Sequence, residues 1–257
     1  QINITFDMNK ITLIYKKIAF LFKKKINIDN YTTKKETLDE LFTYYGTDKA
    51  SNVKNQYNKK SSEIIGHGYS NFYEKYFSEF KSKNFNLLEI GTWYGSSCAA
   101  FAKYFDNAQI YGIDRNFKFK FKSKRIKFLY CDLRSESNLN RLEREISNKK
   151  FKVIIDDGSH ILTHILKNLI FFFKYVEKNG YFIVEDYNFP KIYKHLNDGG
   201  NDELFFDEVL EKLKSKNYFS SKILSKEQQK YLFDNVKEIY QHKGKKFDSD
   251  IVFLKKL

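Results

Sequence analysis

Two short apolar runs that end in acids carry the chemistry of this chain: Ile154-Ile155-Asp156-Asp157-Gly158-Ser159-His160 and Val184-Glu185-Asp186. Buried strands of a parallel α/β sheet read as such runs, and ligands bind beyond their carboxyl ends. Carboxylates closing two neighbouring strands offer hard oxygen ligands to a divalent cation. His160, three residues past Asp157, is a candidate base near neutral pH. Upstream, Leu87 to Ser97 reads as a strand entering a glycine-containing turn. Together these segments point to a metal-assisted transferase that uses a nucleoside-bearing cofactor.

Around that turn, Glu89-x-Gly91-x-x-x-Gly95-x-Ser97 resembles the first motif of S-adenosylmethionine-dependent methyltransferases. The motif implies a backbone passing close to the ligand, which side chains at Gly91 and Gly95 would block. A helix N-terminus just beyond it suits the amino-acid carboxylate of such a cofactor. Asp114 ends the next strand in Ile110-Tyr111-Gly112-Ile113-Asp114, about twenty residues on, where an acid binds ribose hydroxyls. Asp132, after Cys131 at the end of the third strand, is placed either to accept from the adenine amino group or to cap the helix that follows.

The elements that must hold these residues follow from periodicity. Strands are predicted at 86–90, 109–113, 126–130, 151–155 and 181–185, with helices at 96–105, 137–147, 161–177 and 202–215. Such alternation implies right-handed crossovers and a parallel sheet. Val236 to His242 and Asp250 to Leu254 read as a closing antiparallel hairpin. The fold class is therefore α/β, a Rossmann-like, mostly parallel seven-stranded sheet of the class I methyltransferase type. Residues 1–80 read as a helical N-terminal extension and 81–257 as the cofactor-binding domain. Within the extension, a helix from Thr37 to Tyr45 stops at Gly46, residues 46–70 read as a loop, and an aromatic helix runs near Phe72 to Phe80.

At 257 residues, 42% of them hydrophobic and 18% aromatic, the chain has enough apolar material for one large globular core. Cys98 and Cys131 fall in a helix and at a strand end, so they read as free buried thiols in a reducing, cytoplasmic setting. A formal charge of +14 invites anionic partners. The heavy use of Lys, Asn, Ile, Phe and Tyr also fits a biased genome, and no basic stripe with interleaved aromatics marks a nucleic-acid module. The apolar stretch Ile11 to Phe22 is broken by Lys16-Lys17 and ends at Lys23-Lys24-Lys25, too short and charged to span a bilayer. It reads as a helix packing on the domain or on a second copy in a homo-oligomer, with a membrane-surface helix as the other reading.

Several further segments occur in a telling order: Tyr45-Gly46-Thr47-Asp48-Lys49, then His67-Gly68-Tyr69 with Tyr73. The Glu89 to Ser97 motif follows, then Asp156-Asp157-Gly158-Ser159-His160 with His164, and Glu185-Asp186. Over residues 38 to 190 the chain resembles the metal-dependent sugar O-methyltransferases typified by the mycinamicin and macrocin enzymes, with a related cephalosporin hydroxylase-like branch. The resemblance implies Mg2+ or a similar ion at Asp157 and Asp186 with Glu185, and His160 as general base. It implies Tyr45 and Thr47 beside the cofactor, and His67 and Tyr69 over the active site as a lid or subunit contact. Where the family often continues Thr-Ser-Tyr after the acids, this chain reads Tyr187-Asn188-Phe189-Pro190-Lys191, the segment expected to shape the acceptor pocket.

Adjacent acids cannot face the same way along a continuing strand. Asp157 is accordingly read as the ligand and Asp156 as a cap or loop-stabilising group at the cofactor end, while the choice between Glu185 and Asp186 stays open. His164, one turn after His160, reads as a packed helper. The expected reaction is O-methylation of a sugar hydroxyl, with a sugar or nucleotide sugar as the acceptor. An RNA methyltransferase, a hydroxylase-like metal enzyme and a non-catalytic scaffold remain the other readings.

Overall fold

The computed structural model describes residues 8–30, 37–54 and 63–257; the remainder of the expected extension and of the 46–70 loop lies outside the described residues. The main sheet has seven strands: β1 (Asn86–Ile90), β2 (Gln109–Asp114), β3 (Ile126–Tyr130), β4 (Phe151–Asp156), β5 (Val176–Glu185), β6 (Val236–Lys243) and β7 (Asp250–Lys256). Their order is β6-β7-β5-β4-β1-β2-β3, with β7 antiparallel to both β5 and β6 and the other pairs parallel. The chain direction of the order reverses between β1 and β4, and such a switch point opens a crevice at the carboxyl ends.

Alternate residues of the strands feed two cores. Leu87, Val153, Ile155, Ile183 and Phe253 face one side, while Leu88, Ile154, Phe182, Val184 and Leu254 face the other. Helices α1 (Met8–Phe22), α2 (Leu38–Tyr45), α3 (Ser70–Phe77) and α4 (Ser96–Tyr104) precede β2 in the chain. Phe20, Leu41, Phe42, Tyr73, Phe77 and Phe101 from these helices join the first core, so one hydrophobic cluster runs across residue 80. The second core is filled by α5 (Glu136–Ile146), α6 (Leu162–Phe173), α7 (Phe206–Ser215) and α8 (Lys226–Asn235).

Helix α2 shows why its sequence stops where it does. Thr37 and Glu40 form a reciprocal capping box, and Gly46 takes the left-handed conformation at φ 73° while its N–H bonds Phe42 O at 2.9 Å. Helix α1 packs through Phe20, whose ring lies 5.4 Å from Phe117 and 5.2 Å from Phe128, while Ile14, Tyr15, Ile18, Leu21 and Phe22 are exposed. No helix among the described residues is long and apolar enough to cross a membrane.

Three differences from the predicted elements are local. Helix α8 replaces expected coil, because Ser225 and Gln228 build a capping box and Leu232 and Phe233 bury in the second core. The first part of β5 runs from Val176 through polar residues that hide a strand from hydrophobic counting. Short two-stranded pairings, 52–54 with 63–65 and 26–27 with 121–122, interrupt the expected helix-and-loop extension.

Candidate active site

The carboxyl ends of β1 to β4 border a cavity of about 900 Å³, the size of a small organic ligand's site. The turn after β1 shapes its floor. Gly91 and Gly95 sit at φ 86° and 80°, backbone open to glycine, and the indole-bearing Trp93 is forced to φ 48° between them. The motif predicts that the ligand excludes side chains at both glycines; the structure places the obstacles within the chain. A Cβ on Gly91 would stand 1.9 Å from the Asp157 carbonyl oxygen, and one on Gly95 would stand 2.4 Å from the Phe119 ring. Gly91 is thus the reason that the β1 and β4 ends, and with them the motif and Asp157, lie side by side.

Asp114 closes β2 as expected and borders the cavity, its two carboxylate oxygens accepting from Trp93 N at 2.8 Å and Asn116 N at 2.7 Å. Those amides fix the carboxylate at the rim. Thr47 and Ser97 border the same space. Glu89 does not: it is fully buried beneath the turn, accepting from Ser97 Oγ at 2.6 Å and Cys98 Sγ at 3.1 Å. Asp132 borders the cavity but holds Arg134 through Nε at 2.9 Å and Nη2 at 2.6 Å, which draws its carboxyl below the ordinary range. It caps no helix, since α5 starts at Glu136 after Ser135. Tyr45 turns from the cavity to pack edge-on against Phe121 at 5.5 Å, burial pushing its phenol up to about 12. Asp156 faces α6 and accepts from Asn168 Nδ2 at 3.0 Å, the loop-stabilising role rather than a cofactor contact. Both cysteines are free and buried.

Asp157 also borders the cavity, and ligand atoms of Asp157, His160 and Asp186 all lie within 4.8 Å of one another. This group is built by the register of β4 and β5, in which Asp156 pairs with Val184 and so brings the two acidic ends together. His160 and Asp186 both adopt left-handed backbone, φ 55° and 53°, a conformation that His and Asp take more readily than most side chains. The His160 Nε2 lies 3.6 Å from Asp157 Oδ1 and its ring packs on Phe189 at 5.0 Å. Two carboxylates and an imidazole form an oxygen-rich donor set that fits a hard divalent cation.

Asp186 is held from behind. Tyr69 OH donates to its Oδ1 at 2.5 Å, and His67 Nδ1 lies 3.3 Å from the same oxygen. Burial alone would raise the Asp186 carboxyl, but His67 and Tyr69 bring it below the ordinary range. Burial disfavours an imidazolium at His67, yet the Asp186 partner raises it above the ordinary value, so both groups shift as a charge pair. His67 and Tyr69, expected over the active site as a lid or subunit contact on the substrate side, are instead buried supports: Tyr69 is 0% exposed, because its aromatic body fills the first core and its hydroxyl meets Asp186. Tyr187 is corrected likewise. It is buried against Phe206, with Gln241 Nε2 donating to its hydroxyl at 3.2 Å. His164 borders the cavity and pairs with Ser159 Oγ at 2.7 Å.

Glu185 is not brought into the ion group. It ends β5 pointing opposite to Asp186, with one oxygen accepting from Tyr73 OH and the other from Lys49 Nζ at 2.6 Å. Lys49, 1% exposed, also reaches Asp157 Oδ2 at 2.5 Å. Neither Lys49 nor Tyr73 is assigned a role by the sequence, although both stand within the segments that carry the resemblance. A lysine beside a helix-ending Gly46 is an ordinary surface signal, and partners 108 and 136 residues away leave no local trace.

No family model matches the chain. It is 29% identical over 127 residues to mycinamicin VI 2''-O-methyltransferase of Micromonospora griseorubida, a match covering 47% of this chain and 31% of that protein. It is 27% identical over 162 residues to demethylmacrocin O-methyltransferase of Streptomyces fradiae, covering 60% and 37%. In sequence the chain is similar to these two macrolide sugar O-methyltransferases. The expected resemblance is thus borne out. The fold agrees: the MycE methyltransferase of the mycinamycin pathway, solved with Mg, S-adenosylhomocysteine and mycinamycin VI, superimposes with a TM-score of 0.65 at 22% identity. That superposition covers 87% of this chain and 55% of MycE, so the chain spans about half the length of the protein it matches. The likeness to MycE is one of fold.

Proposed function

We propose that the chain is an S-adenosylmethionine-dependent, divalent-metal-assisted O-methyltransferase acting on a sugar hydroxyl. The observation that carries the reading is the Asp157–His160–Asp186 group, joined through Asp157 to a cavity that Asp114 also borders. Asp157 and Asp186 would hold a magnesium-type ion, which would supply Lewis acidity and so lower the pKa of a sugar hydroxyl. His160 takes the hydroxyl proton as the oxygen attacks the methyl carbon; the new O–C bond forms while the C–S bond of the sulfonium breaks. Asp114 holds the ribose, and Thr47 and Ser97 line the cofactor's enclosure. Alignment matters as much as acidity in such a displacement. The buried Tyr69 and His67 provide it by fixing the Asp186 carboxylate from behind.

The names of the relatives describe transfer to sugars on macrolides and polyketides. For this chain a nucleotide-diphosphate sugar is the proposed acceptor, supported by Arg115, Lys167 and Lys246 at the cavity border. Incubation with S-adenosylmethionine, magnesium and matched panels of nucleotide sugars and neutral glycosides, read by mass spectrometry, tests both levels. A methyl added to nucleotide sugars is the expected result. Methylation confined to neutral glycosides removes the nucleotide, and no transfer to any sugar in either panel removes the sugar acceptor.

A further inference from the structure

Lys49 is a buried cation at this site that belongs to neither the cavity lining nor the ion group. Its ammonium is buried among three carboxylates, at 2.5 Å from Asp157, 2.6 Å from Glu185 and 3.6 Å from Glu89. Each partner comes from the end or body of a different central strand: Glu89 from β1, Asp157 just past β4, Glu185 from β5. Glu89 Oε1 has no hydrogen-bond partner, so Lys49 is the charge that balances it. Placing a cation of fixed size here is costly unless it answers an excess of negative charge. Four carboxylates, those three and Asp186, surround the site.

We propose that Lys49 is a built-in competitor of the metal ion: its ammonium holds Asp157 and Glu185 in the ion's absence and thereby keeps the divalent ion weakly bound and exchangeable. The inference rests on the metal reading above. Its physical basis is Coulombic. Lys49 is in direct contact with Asp157, one of the two carboxylates assigned to the ion, and a like charge at that range in a buried setting weakens a cation's binding strongly. Removing the ammonium also leaves Glu185 with one free oxygen beside the group, its other oxygen still held by Tyr73.

The test is divalent-ion affinity, with Mn2+ alone as probe, measured by electron paramagnetic resonance on the full chain without cofactor or acceptor. Lys49→Gln should bind Mn2+ at least about tenfold more tightly than the unsubstituted protein, given one cation fewer at contact range. Its melting temperature should also rise more on Mn2+ addition, because the ion replaces a lost counter-charge. Lys49→Arg, which keeps the charge, should stay near the original affinity. A folded Lys49→Gln with unchanged or weaker Mn2+ binding overturns the competitor role and marks Lys49 as a structural counter-ion. If Lys49→Gln folds only when Mn2+ is present, the role is supported; if it stays unfolded in excess Mn2+, the role is overturned. An unsubstituted chain that binds no Mn2+ would instead remove the metal reading itself, which separates the two failures.

Discussion

Replacing His160 with alanine is expected to slow methyl transfer by about two to four orders of magnitude, the range for losing a positioned general base. The loss should fall on kcat, with KM for S-adenosylmethionine nearly unchanged, because Asp114, Thr47 and Ser97 border the cavity and His160 does not. Ion binding should persist through Asp157 and Asp186. One confounding effect has a physical control. His160 sits at φ 55°, where alanine is strained, whereas asparagine tolerates left-handed backbone. His160→Asn should therefore fold like the parent and still lack the base. Near-normal turnover of either folded variant, when chemistry limits the rate, would take the proton away from His160.

The second large effect belongs to Asp157. Its side chain lies in the ion group, contacts Lys49 at 2.5 Å and sits 3.6 Å from His160. Asp157→Ala should lower the rate at least about a hundredfold and abolish its dependence on magnesium, since Lewis-acid assistance supplies several kcal/mol of barrier reduction. The same change leaves Lys49 with Glu185 and Glu89 as partners, so the fold keeps its buried charge balance. Activity measured across a magnesium titration checks this. A variant that keeps the parent's magnesium response would show that the ion is held elsewhere.

How much of this was legible in the sequence follows from which interactions are local. The five parallel strands, the hairpin and the stop of α2 at Gly46 were readable, because apolar runs, capping residues and glycine act within a few positions. The acidic ends of β4 and β5 were readable as a pair because parallel neighbours align their carboxyl ends. What the residues on those ends touch was not readable. Glu89, Tyr45 and Tyr187 have the types and places of ligand-facing groups, yet packing turned each into the protein. Asp186 faces the ion group and Glu185 does not, a choice set by the left-handed turn at Asp186 and by Tyr73 and Lys49 reaching across from the N-terminal segments. The roles of Gly91 and Gly95 were hidden for the same reason, since the atoms they make room for belong to Asp157 and Phe119. Helix α8 was missed because its polar sequence buries only two residues deeply in the second core.

The central claim is that transfer needs an ion held by Asp157 and Asp186 while the cofactor is bound by other residues. Chelation with EDTA, followed by mass-spectrometric assay of the methylated sugar and calorimetric titration of S-adenosylmethionine on the same sample, tests it most directly. Methyl transfer should stop, return on addition of excess magnesium or manganese, and leave cofactor affinity within about twofold of its original value throughout, since Asp114, Thr47 and Ser97 border the cavity and are not members of the ion group. Undiminished methyl transfer in metal-free, EDTA-treated protein would contradict the account.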